Sequence, residues 1–138
     1  MREIKFRGKE MSSGEWVFGY AVKRGSEWWI DNETTDWKSQ PPLGVIQYHK
    51  HKVIEKSLGE FSGIKSNENN LEMYEGDIVK GNDIAGIGRF IGIVSFASGR
   101  FVVDGVKQYN GLRFDLNALF KPIGNVIDNT DLLENQIS

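Results

Sequence analysis

The sequence predicts a mainly β protein in two parts. An N-terminal antiparallel β unit covers residues 1–60, a turn-rich segment covers 61–71, and a second β unit covers 72–138. Three observations predict it. Short apolar runs alternate with polar residues at period two, 16 glycines stand against 3 prolines, and no stretch carries the period of a long amphipathic helix. A chain of 138 residues is one ordinary domain or two very small ones. At that length about 65–70% of the unfolded surface can be buried, so folding needs neither a metal nor a disulfide. Eight Phe, four Trp and four Tyr supply apolar surface enough to offset the ordering entropy, which excludes disorder over most of the length.

Taken in order, Ile4 and Phe6 project to one face and Lys5 and Arg7 to the other, as in a half-buried strand. Ser12-Ser13-Gly14 supplies a turn. Trp16, Phe18, Tyr20 and Val22 then share one face of a second strand, Lys23-Arg24-Gly25-Ser26 closes it, and Glu27-Trp28-Trp29-Ile30 opens the next. Residues 31–44 are polar, contain Pro41-Pro42, and predict a long surface loop. Val45–Tyr48 and Val53-Ile54 predict strand pieces on either side of the basic tract His49-Lys50-His51-Lys52. Residues 62–72 form the clearest turn-rich stretch.

The second unit restarts at Ile78-Val79 behind Gly76-Asp77. A loop bounded by Gly81-Asn82-Asp83 and Gly86-Ile87-Gly88 leads into a hairpin, with Phe90–Ala97 going out, Ser98-Gly99 turning, and Phe101–Val103 returning. Asp115 predicts an N-cap for a helical turn over Leu116–Phe120, stopped by Pro122. Ile123–Ile127 predicts a last strand, and Asn129 a cap for a short terminal helical turn, Thr130–Glu134.

Composition narrows function by exclusion. The absence of cysteine removes disulfide scaffolds, thiol catalysis and Cys-ligated metal. Net charge is −2, and it is evenly spread. Residues 1–60 hold ten basic and nine acidic side chains, 61–75 one and three, and 76–138 six and seven. No part has the electrostatic footprint of a nucleic-acid or membrane-surface binder. The start Met1-Arg2-Glu3-Ile4-Lys5-Phe6 lacks an apolar signal core, and no run approaches the ~20 apolar residues of a membrane span. The expectation is a soluble intracellular protein, with Asn32-Glu33-Thr34 a chance glycosylation triplet.

Four pieces in order carry a family resemblance: Met1-Arg2-Glu3-Ile4-Lys5-Phe6-Arg7-Gly8, Gly59-Glu60-Phe61-Ser62-Gly63-Ile64, Met73-Tyr74-Glu75-Gly76-Asp77-Ile78-Val79, and Ile123-Gly124-Asn125-Val126-Ile127-Asp128-Asn129-Thr130-Asp131-Leu132-Leu133. The ordered set resembles the YopX family of small phage and prophage proteins, over residue 1 to about residue 133. One departure is Ser66-Asn67-Glu68-Asn69-Asn70, standing where the family has a Gly-containing turn. Asparagine tolerates the left-handed conformation such a turn needs. The 31–44 stretch is a second departure, particular to this chain. The resemblance implies a phage or prophage origin, an SH3-like β-barrel in the second half, and a life in the cytoplasm of the bacterial host. It implies no catalytic residues.

Each candidate site has a bland reading beside its functional one. Glu75 and Asp77 could divide acid and base roles only if their environments separated their pKa values, whereas Gly76-Asp77 is well suited to a tight turn. His49 and His51 would share a strand face and could offer two metal ligands, yet Lys50 and Lys52 oppose a cation there. Gly86-Ile87-Gly88-Arg89-Phe90-Ile91-Gly92 misses the dinucleotide fingerprint: its third glycine is one place late and a strand follows it, not a helix. The best binding candidates are Trp28, Trp29, Trp37 and Tyr48, with Lys50 and Lys52 adjacent. Trp28 and Trp29 point to opposite strand faces, one inward and one outward. An outward Trp could anchor a protein partner or stack on a base.

No nucleophile–base motif is present. The expectation is therefore a non-enzymatic accessory protein without cofactor or metal, binding a host or phage protein or a second copy of itself. The alternative is a nucleic-acid-binding module using aromatic stacking beside the basic tract.

Overall fold

The computed structural model describes residues 4–36 and 45–133, with side chains described for 4–33 and 48–133. The expected Pro41-Pro42 loop and Trp37 lie outside the described residues. The protein is mainly β: eleven strands and four single 3-10 turns among the described residues. They are β1 (Phe6–Lys9), β2 (Trp16–Arg24), β3 (Glu27–Asp36), β4 (Val45–Val53), β5 (Gly59–Lys65), β6 (Glu72–Tyr74), β7 (Asp77–Gly81), β8 (Phe90–Ala97), β9 (Arg100–Gly105), β10 (Arg113–Asp115) and β11 (Lys121–Asn125). Two compact units divide the chain, Ile4–Glu60 and the residues from Phe61 onward.

In the first unit the strands run antiparallel in the order β4-β3-β2-β1, and β1 also pairs with the start of β5 through Phe6↔Glu60 and Arg7↔Gly59. The sheet curls until its ends meet. Glu10 bridges Val53, Met11 N–H donates to Lys52 C=O at 2.9 Å, and Ile54 N–H donates to Lys9 C=O at 3.0 Å. This closure needs Gly8, because a Cβ there would stand 2.9 Å from the Val53 Cβ. The buried side of the curl carries Ile30 and Val53, both almost fully enclosed. Buried Ser57 adds a clasp: its Oγ accepts from Lys9 N–H at 2.8 Å and donates to Ile54 C=O at 2.5 Å.

Two expectations in this unit are corrected. Residues 31–36 continue β3 and do not begin a loop. Two of the polar side chains are satisfied within the sheet: Asp31 takes both ends of the Arg24 guanidinium, and Asn32 donates to the Phe18 carbonyl. The basic tract 49–52 is likewise no interruption. It is the middle of β4, paired with β3 from Trp28↔Val53 to Asp36↔Val45 without a shift of register.

The second unit holds the main core. Met73, Val79, Ile84, Phe90, Val94, Phe101, Val103, Leu116 and Phe120 are all buried together. Phe90 sits at its centre, edge-on to Phe114 at 4.9 Å and near Tyr109 and Phe120. The sheet order is β10-β9-β8-β7-β11, all antiparallel, and its outer strands β10 and β11 do not pair with each other, so the sheet stays open. The β8–β9 hairpin turns at Ser98-Gly99 with φ of 54° and 78°, the two left-handed residues of a type I′ turn.

Three details differ from the sequence expectation. β5 persists to Lys65, with a bulge between Phe61 and Lys65, so the turn proper is confined to 66–71. Leu116–Phe120 is no helical turn. Asp115 ends β10 and pairs with Arg100, while Asn117 Oδ1 accepts from Leu119 N–H at 2.9 Å to form a tight turn. Asn129 precedes the one-turn helix Thr130–Leu132, but its side chain reaches back to Asn125 N–H at 3.0 Å and caps nothing ahead of it.

Two outcomes follow. Truncating Phe90 to Ala should cost about 3–5 kcal/mol, read as a fall in the urea midpoint at unchanged slope. In the first unit, the Glu10 carboxyl is held below the ordinary range by the Ser13 hydroxyl (2.6 Å) and by His51 Nδ1 (2.6 Å). A lowered folded pKa gives stability that is full above the ordinary carboxylate range and is lost as pH falls through the lowered value. Glu10→Gln should therefore be less stable than wild type near neutrality, with the gap closing below about pH 4. Urea titrations at several pH values check this; a gap that persists in acid would sink the assignment.

Candidate functional site

In an antiparallel ladder, directly opposed residues share a face. The registers Arg7↔Phe18, Lys9↔Trp16, Tyr20↔Asp31, Val22↔Trp29, Trp29↔Lys52, Asp31↔Lys50 and Glu33↔Tyr48 therefore define one continuous surface on the first unit. Its opposite side carries Gly8, Ala21, Ile30, His51 and Val53. The first surface is the open one. Phe18 is 45% exposed, Tyr20 61% and Tyr48 70%, a set of large aromatics that an ordinary core would have absorbed.

Of the residues singled out in the sequence, Trp29, Tyr48, Lys50 and Lys52 meet on this surface. Trp28 lies on the other side, in register with Val53, its ring under the Lys23 ammonium at 5.8 Å. Trp37 lies outside the described residues. Sequence reasoning did not single out Phe18, Tyr20, Arg24, Asp31 or Glu33. A signal for the first two exists in β2: Val17, Gly19 and Ala21 are small and mark the crowded side. A Cβ on Gly19 would stand 2.3 Å from the Asp31 carbonyl oxygen. The large residues between them face outward.

Part of the charge on this surface is paired. Arg24 makes a two-pronged bond to Asp31 (3.0 and 2.5 Å) and lies 5.6 Å over the Trp29 ring. That hydrogen-bonded guanidinium holds the Asp31 carboxyl below its ordinary range against the opposing effect of desolvation, with Lys50 contributing in the same direction. Lys52 pairs with Glu27, and the Arg7 guanidinium covers Trp16 at 4.8 Å. Between Tyr20 and Tyr48 runs a groove of about 230 Å³, lined also by Val22, Asp31, Asn32 and Glu33. The surface thus presents Trp16 and Trp29 each under a guanidinium, with two of its basic residues, Arg24 and Lys52, in ion pairs.

Other candidates are weaker. His51 does meet a carboxylate, Glu10, but Ser13 Oγ donates to that same carboxylate and not to the imidazole, so the three groups lack a nucleophile-to-base contact. His49 and His51 stack with centroids 6.2 Å apart. Among the described residues no group of three or more His, Asp or Glu is placed to hold a metal ion. A second groove, of about 310 Å³ beside Asp104, Asn110 and Arg113, offers little chemistry. Asp104 is already bonded by Arg113 (2.6 and 3.3 Å) and Ser95 (2.8 Å), and the Arg113 bonds, ahead of Ser95, keep its carboxyl below the ordinary range. Glu75-Gly76-Asp77 is a structural turn: buried Asp77 accepts from Tyr74 N–H at 2.7 Å. Gly86–Gly92 leads into β8, a strand, and forms no phosphate cradle at a helix start. No described helix is long and apolar enough to cross a membrane.

Comparison with known proteins gives lineage and fold. No curated protein matches the chain. Among solved structures, the crystal structure of protein EF1440 from Enterococcus faecalis is similar at a TM-score of 0.57 and 19% identity, covering 97% of this chain and 100% of that one. At that identity the likeness speaks for the fold alone. The profile of the YopX protein family matches residues 5–134. With nearly its whole length matched, this chain belongs to the YopX family.

Proposed function

We propose that this protein is a phage- or prophage-encoded accessory protein that works in the cytoplasm of a bacterial host by binding protein, a host or phage protein or a second copy of itself, and that it is not an enzyme. The observation that carries this reading is the open surface of the first unit, where Phe18, Tyr20 and Tyr48 stand exposed on a paired sheet. Rigid aromatic side chains bring large contact area at small entropic cost, and they dominate protein interfaces. The pairing of Arg24 with Asp31 and Lys52 with Glu27 favours a protein partner over a polyanion, since nucleic-acid binding draws on unneutralised cations. An SH3-like barrel for the second unit forms part of the proposal. It is supported by a strand order in which β11 returns to pair with β7 beside the β7-β8-β9-β10 meander. An SH3-like architecture does not by itself fix what is bound.

The test uses Phe18→Ala/Tyr20→Ala in the full chain. Interface anchors of this kind cost ~2 kcal/mol or more each on truncation, so the double variant should bind its partner on the order of 10³-fold more weakly, read as lost capture from infected host cells with an unchanged circular dichroism spectrum. Anisotropy of labelled single-stranded DNA, duplex DNA and RNA, titrated at about 50 and 200 mM salt, is the counter-test. The expected result is no binding at the lower salt. Micromolar binding that collapses with salt and is lost in the same double variant would replace this reading with base stacking on Tyr20 and Tyr48.

A further inference from the structure

The groove between Tyr20 and Tyr48 is lined by charge of one sign. Its walls are Tyr20, Val22, Asp31, Asn32, Glu33 and Tyr48, two carboxylates and no cation. The two acids differ in state. Asp31 is held by both prongs of Arg24. Glu33 is exposed, and among the described residues no cation is paired with it. The rings differ from the neighbouring tryptophans in the same way. Trp16 lies under Arg7, Trp29 under Arg24 and Trp28 under Lys23. Tyr20 and Tyr48 are 61% and 70% exposed, and among the described residues no cation covers either ring. They stand on the two strands that flank β3, so two strand spacings, about 10 Å, separate their strands and leave a slot over Asp31 and Glu33.

We propose, resting on the protein-binding reading above, that this groove receives an arginine side chain of the partner protein, its guanidinium paired with Glu33 and lying against the rings of Tyr20 and Tyr48. A precedent stands beside it. Arg24 grips a β3 carboxylate, Asp31, while its guanidinium lies over the Trp29 ring. Glu33, with Tyr48 directly opposite, offers the same pair of partners: an acid and an aromatic face on one side of the sheet. A planar guanidinium suits such a site better than an ammonium, because it can donate two parallel bonds to a carboxylate and stack on a ring at once. An apolar guest would cover Glu33 without satisfying it, and an anionic guest would face both carboxylates. Lys50 acts in the opposite direction. It is exposed on β4 opposite Asp31, makes no ion pair among the described residues, and repels a second cation. Its removal therefore carries a sign that a merely structural role would not produce.

The test is a titration of the intact protein, carrying isotope-labelled tyrosine, with a blocked Gly-Arg-Gly peptide and with the same peptide bearing citrulline, the uncharged isostere of arginine. The chain has four tyrosines. In NMR spectra the ring signals of Tyr20 and Tyr48 should move with a Kd on the order of millimolar, while those of Tyr74 and Tyr109 in the second unit stay in place. The citrulline peptide should bind about tenfold more weakly, having lost both the ion pair and the cation–π contact. Glu33→Gln should weaken the arginine peptide about threefold or more and leave the citrulline peptide unaffected, whereas Lys50→Met should tighten the arginine peptide. The proposal is overturned if the Tyr20 and Tyr48 signals do not move, if the two peptides bind alike, or if Glu33→Gln leaves arginine binding unchanged. Partner capture separates this inference from the reading beneath it. A partner lost with Phe18→Ala/Tyr20→Ala and bound at full affinity by Glu33→Gln removes the arginine and leaves protein binding standing. A partner kept by both variants removes both.

Discussion

The buried turn at Gly76-Asp77 is the constraint on which the second unit is assembled. Tyr74 N–H donates to Asp77 Oδ2 at 2.7 Å, closing the turn on itself. Gly76 stands between with φ of 92°, a conformation open to glycine and strained for other residues. Its two backbone groups bond away from the turn, the N–H to Val94 C=O in β8 at 2.9 Å and the C=O to Val126 N–H just past β11 at 3.0 Å. One residue in the turn between β6 and β7 is therefore bonded to both β8 and the segment just past β11. Met73 and Tyr74 enter the core ahead of it, Ile78 and Val79 behind it. A side chain as enclosed as Asp77 needs hydrogen-bond partners, and Tyr74 N–H supplies one at Oδ2.

The first unit is organised differently. It has little core of its own, with Ile30 and Val53 its most enclosed apolar side chains. Curl and polar clasps define it instead: the meeting of β1 with β4 beside Gly8, the Ser57 hydroxyl between Lys9 and Ile54, and Glu10 between Ser13 and His51. A tightly curled sheet needs small residues inside, which displaces the large ones outward. The exposed aromatics are in this sense a geometric by-product of the curl, available for recognition. Arg24, which grips Asp31 with one plane of its guanidinium and lies over Trp29, fixes the middle of that surface in one arrangement.

Strand positions were legible wherever side chains alternate between a wet and a dry side, as in Trp16–Val22 and Phe101–Val103, and the Ser98-Gly99 turn was legible from its chemistry. Residues 31–36 were not, because Asp31-Asn32-Glu33-Thr34-Thr35-Asp36 has no apolar alternation to display. The tract His49–Lys52 misled for the same reason: its lysines face water and its imidazoles sit on the other side, with His51 held by Glu10 41 residues away. Asp115 reads as a helix cap in sequence, and what overrides that reading is the Arg100–Asp115 pair across β9 and β10, a tertiary fact. The candidate surface was half legible. Trp29, Tyr48, Lys50 and Lys52 are close in the chain, whereas the share of Phe18 and Tyr20 depends on which side of β2 is crowded.

The boundary between the units falls inside a strand. Glu60 pairs with Phe6 and the next residue, Phe61, pairs with Tyr74. Most two-part chains are joined by a stretch that can be lengthened, cut or exchanged without disturbing either part. Here there is no such residue: a break or an insertion at this point severs one ladder or slips the other, turning every side chain beyond it to the opposite face. The two halves are consequently poor cassettes for recombination. The length of the chain at this point is held by a hydrogen-bond register and not by the needs of a tether.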